Sequence, residues 1–307
     1  MGENKLIIID EAQRIENIGL TLKLLFDQLH IHVLASGSAS FDLANKINEP
    51  LTGRTRTFFL YPLSLDEVPI NPPTLTPQEN LEEYLRFGLY PKVITTSGEK
   101  ERENYLFEVL NNYLFIDILT FQEIRKPKKV IDLLALLALQ IGSEVVVSEL
   151  AQNLSLSRII VEKYLDLLEK MFVIVNVGGF SRNLRKEISM TSKYYFLDLG
   201  VRNACIRNFN PLTLRNDTGA LFENFCVIER MKLLANAGKR ANFYFWRTYD
   251  QKEIDLIEER EGTLTAWEFT WSQKSGKKTK HIKEFAATYR SSKQQVVGRN
   301  DLYKLKG

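Results

Sequence analysis

The sequence is poor in features that would indicate secretion, membrane insertion or a structural metal. Its 307 residues include two cysteines, Cys205 and Cys226, whose spacing fits neither a disulfide framework nor a zinc site. No uninterrupted apolar run approaches the roughly 20 residues that a spanning helix requires, and no signal peptide is recognisable. The formal net charge is only +3, so global charge does not indicate a nucleic-acid partner. We therefore expect a cytoplasmic protein without a membrane segment.

The sequence also lacks a phosphate-binding loop of the form GxxxxGK[ST], whose backbone N–H groups and lysine hold the phosphates of a nucleotide. Its two Gly-Lys pairs, Gly238-Lys239 and Gly276-Lys277, have neither the preceding glycine nor the following Ser or Thr. Without such a loop most of the affinity for a triphosphate is missing. Independent hydrolysis of ATP is therefore not expected.

An acidic pair near the start of the chain is nevertheless typical of a nucleotide hydrolase. The stretch LIIIDEAQ places Asp10 and Glu11 at the carboxyl end of a predicted buried strand, where parallel sheets bind their ligands. In such a site the aspartate holds Mg²⁺ through water and the glutamate polarises the attacking water. The alternative is that the two acids only begin a helix, whose N-terminus favours negative charge.

The residues that follow strengthen the first interpretation. The spacing of LIII, an amphipathic helix and the buried strand IHVLAS predicts a βαβ unit with a parallel sheet. Ser36 ends that second strand, where a hydroxyl can sense a γ-phosphate. Arg54 and Arg56 lie between a helix predicted over 38–51 and a strand predicted over 57–68, where an arginine can reach a neighbour's phosphate.

In this order the motifs LIIIDEAQ, GSASFDL and LTGRTRTFFLYPLSLDEV resemble the second half of the core of AAA+ ATPases of bacteria and archaea that carry a C-terminal domain of uncharacterised function. The resemblance implies Asp10 and Glu11 as the Walker B acids, with ATP and Mg²⁺ as the cofactors. It also implies Ser36 as a sensor and Arg54 as an arginine finger.

Since the phosphate loop is missing, we interpret the chain as an N-terminally truncated member of that family. Its ancestral function is then an ATP-dependent switch acting on DNA or on a protein partner, and the chain alone does not hydrolyse ATP. Two alternatives stay open. One is a DNA- or protein-binding adaptor, and the other is a metal-dependent nuclease.

The predicted fold class is α/β, a partial P-loop core, followed by a helical winged-helix region and an α+β restriction-endonuclease-like domain. Five of the nine prolines crowd into residues 62–77, which marks the first boundary. The predicted regions are a truncated AAA+ core at 1–68, a helical connecting region at 69–128, a winged-helix-like domain at 129–212 and a nuclease-like domain at 213–307.

The winged-helix prediction depends on three helices with a short middle turn, followed by a hairpin-like segment. Ser148 is expected to cap the second helix, in the stretch SELAQNLSLSRIIVEKYLDLLEKM. The third helix mixes lysines with acids that would repel phosphate. Arg182, Arg185 and Lys186, in a predicted wing, are therefore the candidate DNA contacts, and a protein partner is the alternative.

Three carboxylates in the last region suit metal-dependent phosphodiester cleavage. Glu223 lies on a predicted helix, and Asp255 and Glu268 lie on strands joined by a turn at Glu261-Gly262. This arrangement resembles the PD-(D/E)xK fold of restriction endonucleases. The predicted metal ligands of the chain are thus Asp10 in the first region and Asp255 and Glu268 here.

The last position of the PD-(D/E)xK pattern is not matched. Thr270 stands where the lysine is expected, and Lys274 is a candidate replacement. The structural alternative is that the acids form ion pairs with Arg247 and Lys252. We expect a nuclease-like scaffold with weak or no activity, followed by a Lys-rich helix and a frayed tail.

Overall fold

The computed structural model describes residues 6–37, 51, 53–68, 80–114, 126–181, 191–248, 252–272, 276–289 and 292–306. The predicted helix over 38–51, apart from its last residue, lies outside these ranges. So do the predicted basic contacts Arg182, Arg185 and Lys186, and the alternative lysine Lys274. Contacts divide the chain into unit 1, residues 1–60 with 165–173, and unit 2, residues 61–164 with 174–307.

Unit 1 contains the predicted βαβ arrangement. Its elements are strand β1 (Leu6–Ile9), a 3₁₀ turn (Ala12–Arg14), helix α1 (Ile18–Asp27) and strand β2 (His32–Ala35). The two strands are parallel, with Leu6 paired to His32 and Ile9 to Ala35. The predicted parallel pairing is therefore confirmed.

The burial predicted for these two strands is wrong on one face. Ile9 and Val33 pack against the buried residues Ile18 and Leu22 of α1. On the other face, Leu6 and Ile8 are 63% and 69% exposed. In the part of the chain that the structure describes, α1 covers only one side of the sheet, whereas parallel sheets are usually covered on both.

Residues 57–68 do not form the predicted strand. Their alternating apolar pattern has no neighbouring strand to pair with among the described residues, and Pro62 has no N–H to donate. Residues 64–68 instead form a turn. In it the Glu67 carboxylate accepts hydrogen bonds from the Ser64 backbone N and from the Ser64 hydroxyl, both at 2.8 Å.

Helices make up the first half of unit 2, as predicted for most of the described part of 79–140. They are α2 (Leu81–Phe87), α3 (Pro91–Thr95), α4 (Glu99–Glu108) with a π-helical continuation (Val109–Leu114), α5 (Pro127–Leu139), α6 (Val147–Leu154) and α7 (Arg158–Lys170), of which residues 165–170 are counted with unit 1. The prediction for Ser148 is wrong, because Val146 precedes α6 and no side chain caps it. Ser148 lies inside the first turn instead.

A mixed sheet of seven strands forms the second half of unit 2. Its strands are β3 (Glu144–Val145), β4 (Ile174–Gly179), β5 (Ser192–Phe196), β6 (Asn242–Arg247), β7 (Glu253–Arg260), β8 (Thr263–Thr270) and β9 (Lys293–Gly298), in the spatial order β3-β5-β4-β6-β7-β8-β9. Helix α8 (Leu199–Cys205) follows β5, α9 (Thr218–Asn236) precedes β6, and α10 (Gly276–Thr288) connects β8 to β9.

The sheet has two antiparallel parts joined by one parallel pair, and a second parallel pair, β8 with β9, at one edge. Strand β5 is antiparallel to both β3 and β4, and β6, β7 and β8 form an antiparallel meander. Strands β4 and β6 are parallel, with Gly178 beside Tyr244 and Gly179 beside Phe245. The predicted turn at Glu261-Gly262 is confirmed, with φ of 51° and 75°, the positive values that a two-residue hairpin turn requires.

The prediction of a frayed tail is wrong. Strand β9 pairs in parallel with β8, and a 3₁₀ helix follows at Leu302–Lys306. Leu302 and Leu305 are buried, and the guanidinium of Arg230 donates to the Leu305 carbonyl at 2.7 Å. The apolar positions of the tail anchor it despite its many lysines. Within the described ranges, no helix combines the length and the apolar character needed to cross a bilayer.

Candidate functional site

The carboxyl ends of β1 and β2 meet at one edge of the small parallel sheet. The Ser36 N–H donates to the Ile9 carbonyl at 2.9 Å, and the Ala12 N–H donates to the Ser36 carbonyl at 2.9 Å. The strand ladder therefore continues by one step past each strand. It fixes the backbone on both sides of Asp10 relative to Ser36.

The side chains of Asp10 and Ser36 are in direct contact. The Ser36 hydroxyl donates a hydrogen bond to one Asp10 carboxylate oxygen, and the Glu11 N–H donates to the same oxygen at 3.1 Å. Both residues are exposed. The structure thus brings together two of the residues that the sequence selected.

Glu11 has an unusual backbone conformation beside this pair. Its φ of 50° and ψ of 41° lie in the left-handed region, which costs a residue other than glycine about 1 kcal/mol. The Glu11 carboxylate accepts from the Gln13 amide at 2.7 Å and lies 3.6 Å from Arg14. It is therefore held by its own turn, next to Asp10.

Arg54 is paired within unit 1. Its Nε lies 3.0 Å from Asp27 at the end of α1, and the two side chains are 41% and 32% exposed. Exposed ion pairs of this kind contribute only about 0–1 kcal/mol, so Arg54 can exchange Asp27 for another anion at little cost. Arg56 lies with its guanidinium 4.9 Å above the Phe58 ring.

A second group of charged residues lies in unit 2, around the buried side chain of Lys193 on β5. The Lys193 ammonium is 3.0 Å from Glu223 on α9 and 2.5 Å from Glu253 on β7. Burial opposes the charge, but Glu223, Glu253 and Asp255 together raise the pKa of Lys193 above its ordinary value. Lys193 is therefore charged at neutral pH although only 1% of its side chain is exposed.

Tyr195 reaches the same carboxylate. Its hydroxyl donates to the Glu223 oxygen that also accepts from Lys193, at 2.8 Å. Burial, together with Glu223, raises the pKa of Tyr195 well above its ordinary value, so the phenol stays a hydrogen-bond donor. Glu223 is thus held by two donors from one strand.

Asp255 lies at a β-bulge. The pairing of β6 with β7 shifts by one residue, because Tyr244 pairs with Ile257 and Trp246 with Ile254. The Asp255 carboxylate accepts from the Phe269 N–H at 2.7 Å, so it reaches the strand that carries Glu268. Both acids are buried, at 5% and 1% exposure.

Arg247 and Lys252, the two bases of the predicted ion-pair alternative, contact acids outside the predicted set, and the alternative itself stays a prediction. Arg247 pairs with Glu144 and lies 4.0 Å from Glu253, and Lys252 pairs with Glu284 at 2.8 Å. The Thr270 hydroxyl, at the position expected for a lysine, donates to the Ser272 carbonyl at 2.7 Å. Among the described residues, no three His, Cys, Asp or Glu side chains converge into a metal-binding group.

Sequence reasoning missed Lys193, Tyr195 and Glu253. The one available signal is a lysine inside the apolar stretch KYYFLDL, where a strand buried on both faces has no place for an unpaired cation. That signal indicates a carboxylate partner but does not identify it, because Glu223 and Glu253 are 30 and 60 residues away along the chain.

The segment that follows the arginines is anchored on α9 by two buried charges. The Glu229 carboxylate accepts from the Leu65 N–H at 2.9 Å, and Lys232 donates to the Leu63 carbonyl at 2.6 Å. Glu229 and Lys232 also form an ion pair with side chains only 1% and 3% exposed. These contacts fix the PLS part of the sequence motif on the longest helix of unit 2.

Comparison with protein families divides the chain into three matched stretches. Residues 1–69 match the model of an AAA domain, whose members in general use ATP and Mg²⁺. Residues 78–212 match a domain of unknown function (DUF8612), and residues 218–306 match another (DUF4143). The first stretch is therefore similar to an AAA domain and supports a partial AAA-like core in an ATPase-like protein.

Several longer proteins are similar to most of the chain. An uncharacterised protein of Mycobacterium tuberculosis is 29% identical over 269 residues, covering 85% of this chain and 57% of the relative. Uncharacterised proteins of Haemophilus influenzae and Methanocaldococcus jannaschii are 24% and 25% identical, with 62% and 52% of their lengths covered. The chain thus spans little more than half the length of these relatives. No solved structure matches it.

Proposed function

We propose that this chain carries the acidic half of an ATP–Mg²⁺ site of the AAA class and acts as part of a nucleotide-dependent switch. The observation that carries the proposal is the hydrogen bond between Ser36 and Asp10, at the carboxyl edge of a parallel sheet. It lies within the stretch that matches an AAA domain.

Each residue of this edge has a role in the proposal. Asp10 would hold Mg²⁺ through water, Glu11 would polarise the attacking water, and Ser36 would report the γ-phosphate. When bound, Mg²⁺ neutralises charge on the phosphates. The sequence contains no GxxxxGK[ST], so tight binding of a triphosphate requires a phosphate loop from another polypeptide segment.

The test is a titration with fluorescent ATP and Mg²⁺. We expect the chain alone to show no saturation below about 100 μM, because the phosphate cradle is missing. A fusion with the part of the Mycobacterium tuberculosis relative that lies outside the aligned region should bind saturably in the presence of Mg²⁺. That binding should be lost in Asp10→Asn and retained in Asp132→Asn, a matched change at an aspartate of α5 whose side chain is 40% exposed.

Two results would contradict the proposal. One is a fusion that is folded by circular dichroism and yet does not bind ATP. The other is binding that Asp10→Asn leaves unchanged, since the carboxylate would then have no part in holding the cation.

The element order of the C-terminal module favours a second candidate function, a restriction-endonuclease-like scaffold. Helix α9 precedes the antiparallel meander of β6, β7 and β8, and the crossover helix α10 leads to the parallel strand β9. Asp255 and Glu268 lie on the second and third of these strands, as the PD-(D/E)xK resemblance implies. With Thr270 in place of the lysine, we propose that this module binds a partner without cutting it.

The element order of the middle region supports a winged helix. Helix α5, strand β3, helices α6 and α7 and the antiparallel β4 and β5 follow one another, with β5 lying between β3 and β4. On α7, Arg158 pairs with Glu162 and Lys170 with Asp166. These pairs neutralise two bases of the helix, which favours a protein partner for α7 and leaves Arg182, Arg185 and Lys186 as the proposed DNA contacts.

A gel-shift experiment with plasmid DNA at several salt concentrations separates these partners. Binding through the wing should weaken in the variant with Arg182, Arg185 and Lys186 changed to alanine. The salt slope should then fall by about 1 for each phosphate contact that is lost. Unchanged binding would exclude the wing as a DNA contact.

A further inference from the structure

We propose that the carboxylate cluster of the C-terminal module is built around a protein cation, the ammonium group of Lys193, in the place where a nuclease of this pattern would hold a divalent metal. The inference concerns unit 2 and does not depend on the nucleotide site proposed for unit 1.

The ammonium group lies between two acids that belong to different elements. Its nitrogen is 3.0 Å from the Glu223 Oε1 on α9 and 2.5 Å from the Glu253 Oε1 on β7. The Phe245 ring lies 5.6 Å from the same nitrogen. With 1% of the side chain exposed, Lys193 exchanges water for these partners almost completely.

The acids have also lost part of their capacity to bind a metal. The Glu223 Oε1 accepts from Tyr195 as well as from Lys193, so two donors occupy the oxygen that faces the cluster. The Asp255 Oδ2 accepts from the Phe269 N–H at 2.7 Å. A divalent ion at this place would have to displace these donors and would be repelled by the ammonium group.

A second base, Arg247, lies near the same group of acids. Arg247 pairs with Glu144 and lies 4.0 Å from the outer oxygen of Glu253. Glu253 therefore has a base near each of its two oxygens. In the PD-(D/E)xK pattern, a lysine at the position of Thr270 on β8 supplies the positive charge. Here Lys193 supplies it from β5, which lies on the other side of the parallel pair of β4 and β6.

This assignment has a chemical consequence. A buried lysine is tolerated only when its charge is paired, and removing its charge leaves buried carboxylates that need another cation. The intact protein should therefore be indifferent to divalent metals in unit 2. A variant without the ammonium group should gain a dependence on them.

The first experiment observes the ammonium group directly. In protein labelled with ¹⁵N-lysine, an NH₃⁺ group held by two carboxylates should give a signal protected from exchange with water, at least about tenfold slower than exposed lysines. Lys232 is also buried and paired, so it should give a second protected signal. One protected signal should vanish in Lys193→Arg, and both should remain in Lys252→Arg, whose lysine is 36% exposed. If Lys193→Arg removes no protected signal, the proposal is overturned.

The second experiment measures thermal unfolding of unit 2 in EDTA and in Mn²⁺, in an Asp10→Asn background that removes the proposed site of unit 1. With Lys193 present, unit 2 should unfold at the same temperature in EDTA and in Mn²⁺. In Lys193→Met, unit 2 should unfold at a lower temperature in EDTA, and Mn²⁺ should raise that temperature. A rise with Mn²⁺ in the protein that retains Lys193, abolished by Asp255→Asn, would refute the internal cation.

If Lys193→Met does not fold, Glu253→Gln is the alternative variant, because that side chain is 32% exposed. Removing this one acid should accelerate exchange of the protected ammonium signal. An unchanged signal would show that Glu253 is not a partner of the lysine and would likewise overturn the assignment.

Discussion

Replacing Asp217 by asparagine tests a charge network in unit 2 that contains two buried arginines, Arg202 and Arg215. One Asp217 oxygen receives Arg202 at 2.6 Å and Arg215 at 2.7 Å, and the other receives Arg215 at 2.8 Å. Both arginine side chains are essentially inaccessible to water. Arg202 also donates to the Ala138 carbonyl at the end of α5, so the network joins α5, α8 and the start of α9.

The structure supports an estimate of the effect. Burial opposes the charged form, but the hydrogen bonds from Arg215 and Arg202 outweigh it and lower the pKa of Asp217 from 3.8 to about 2. This change corresponds to about 2 kcal/mol of stability at neutral pH. Breaking a buried ion pair typically costs about 3–5 kcal/mol, and asparagine retains one acceptor oxygen. We therefore expect Asp217→Asn to lower the free energy of unfolding by about 2–4 kcal/mol.

The pH dependence follows from the direction of the shift. The folded-state pKa of Asp217 is lowered, so its contribution is complete above the ordinary pKa of 3.8 and is lost as pH falls towards about 2. Asp217→Asn should remove this part of the stability curve. All three tryptophans, Trp246, Trp267 and Trp271, lie in unit 2, so urea unfolding followed by tryptophan fluorescence reports on the correct unit.

Glu162→Gln provides the matched control. Its partner Arg158 is 2.7 Å away, but the two side chains are 47% and 70% exposed. The free energy of unfolding should change by no more than about 0.5 kcal/mol. If Asp217→Asn has no larger effect than this control, or leaves the acid part of the curve unchanged, the reasoning about the buried network is refuted.

Two further predictions concern a close contact and the thiols. Gly88 has a φ of 76°, and an added Cβ would lie 2.0 Å from a carboxylate oxygen of Asp198, so Gly88→Ala should destabilise unit 2 by more than about 3 kcal/mol in urea unfolding. Gly219→Ala, on α9 with no atom within 4 Å of the added Cβ, should be neutral or stabilising, and equal effects would contradict the argument. Burial raises the pKa of the partly exposed Cys205 to about 12 and Cys226 is fully buried, so both should react with Ellman's reagent at least about 10²-fold more slowly in the native protein than after unfolding. A thiol that reacts at the rate of a free cysteine would contradict this.

The elements that sequence alone predicted are those with a strong local signal. The apolar run before Asp10, the amphipathic pattern of α1 and the hairpin turn at Glu261-Gly262 each depend on neighbouring residues, and each is present. The strand expected over 57–68 has a suitable pattern, but a strand also requires a partner, and sequence periodicity does not supply one. Strand β9 was missed because its partner, β8, lies more than 20 residues earlier in the chain and the local sequence does not indicate this pairing.

The two candidate sites differ in the same way. Asp10 and Ser36 could be placed together in advance, because parallel strands present their carboxyl ends at one edge of a sheet. The roles of these residues stay predictions. Lys193 could not be joined to Glu223 and Glu253, since the contact depends on how α9 crosses β5 and β7. Such packing is a property of the folded chain and has no local sequence signal.

The parallel pair of β4 and β6 constrains how this protein can be altered by gene fusion. The winged-helix-like region predicted at 129–212 and the nuclease-like region predicted at 213–307 share one continuous hydrogen-bonded ladder, closed where Gly178 and Gly179 meet Tyr244 and Phe245. A cut between them leaves a bare strand edge on each fragment, a ready template for aggregation. A recombinant that exchanges either region must therefore supply a bordering strand of the same direction and register, so the two regions should be inherited together.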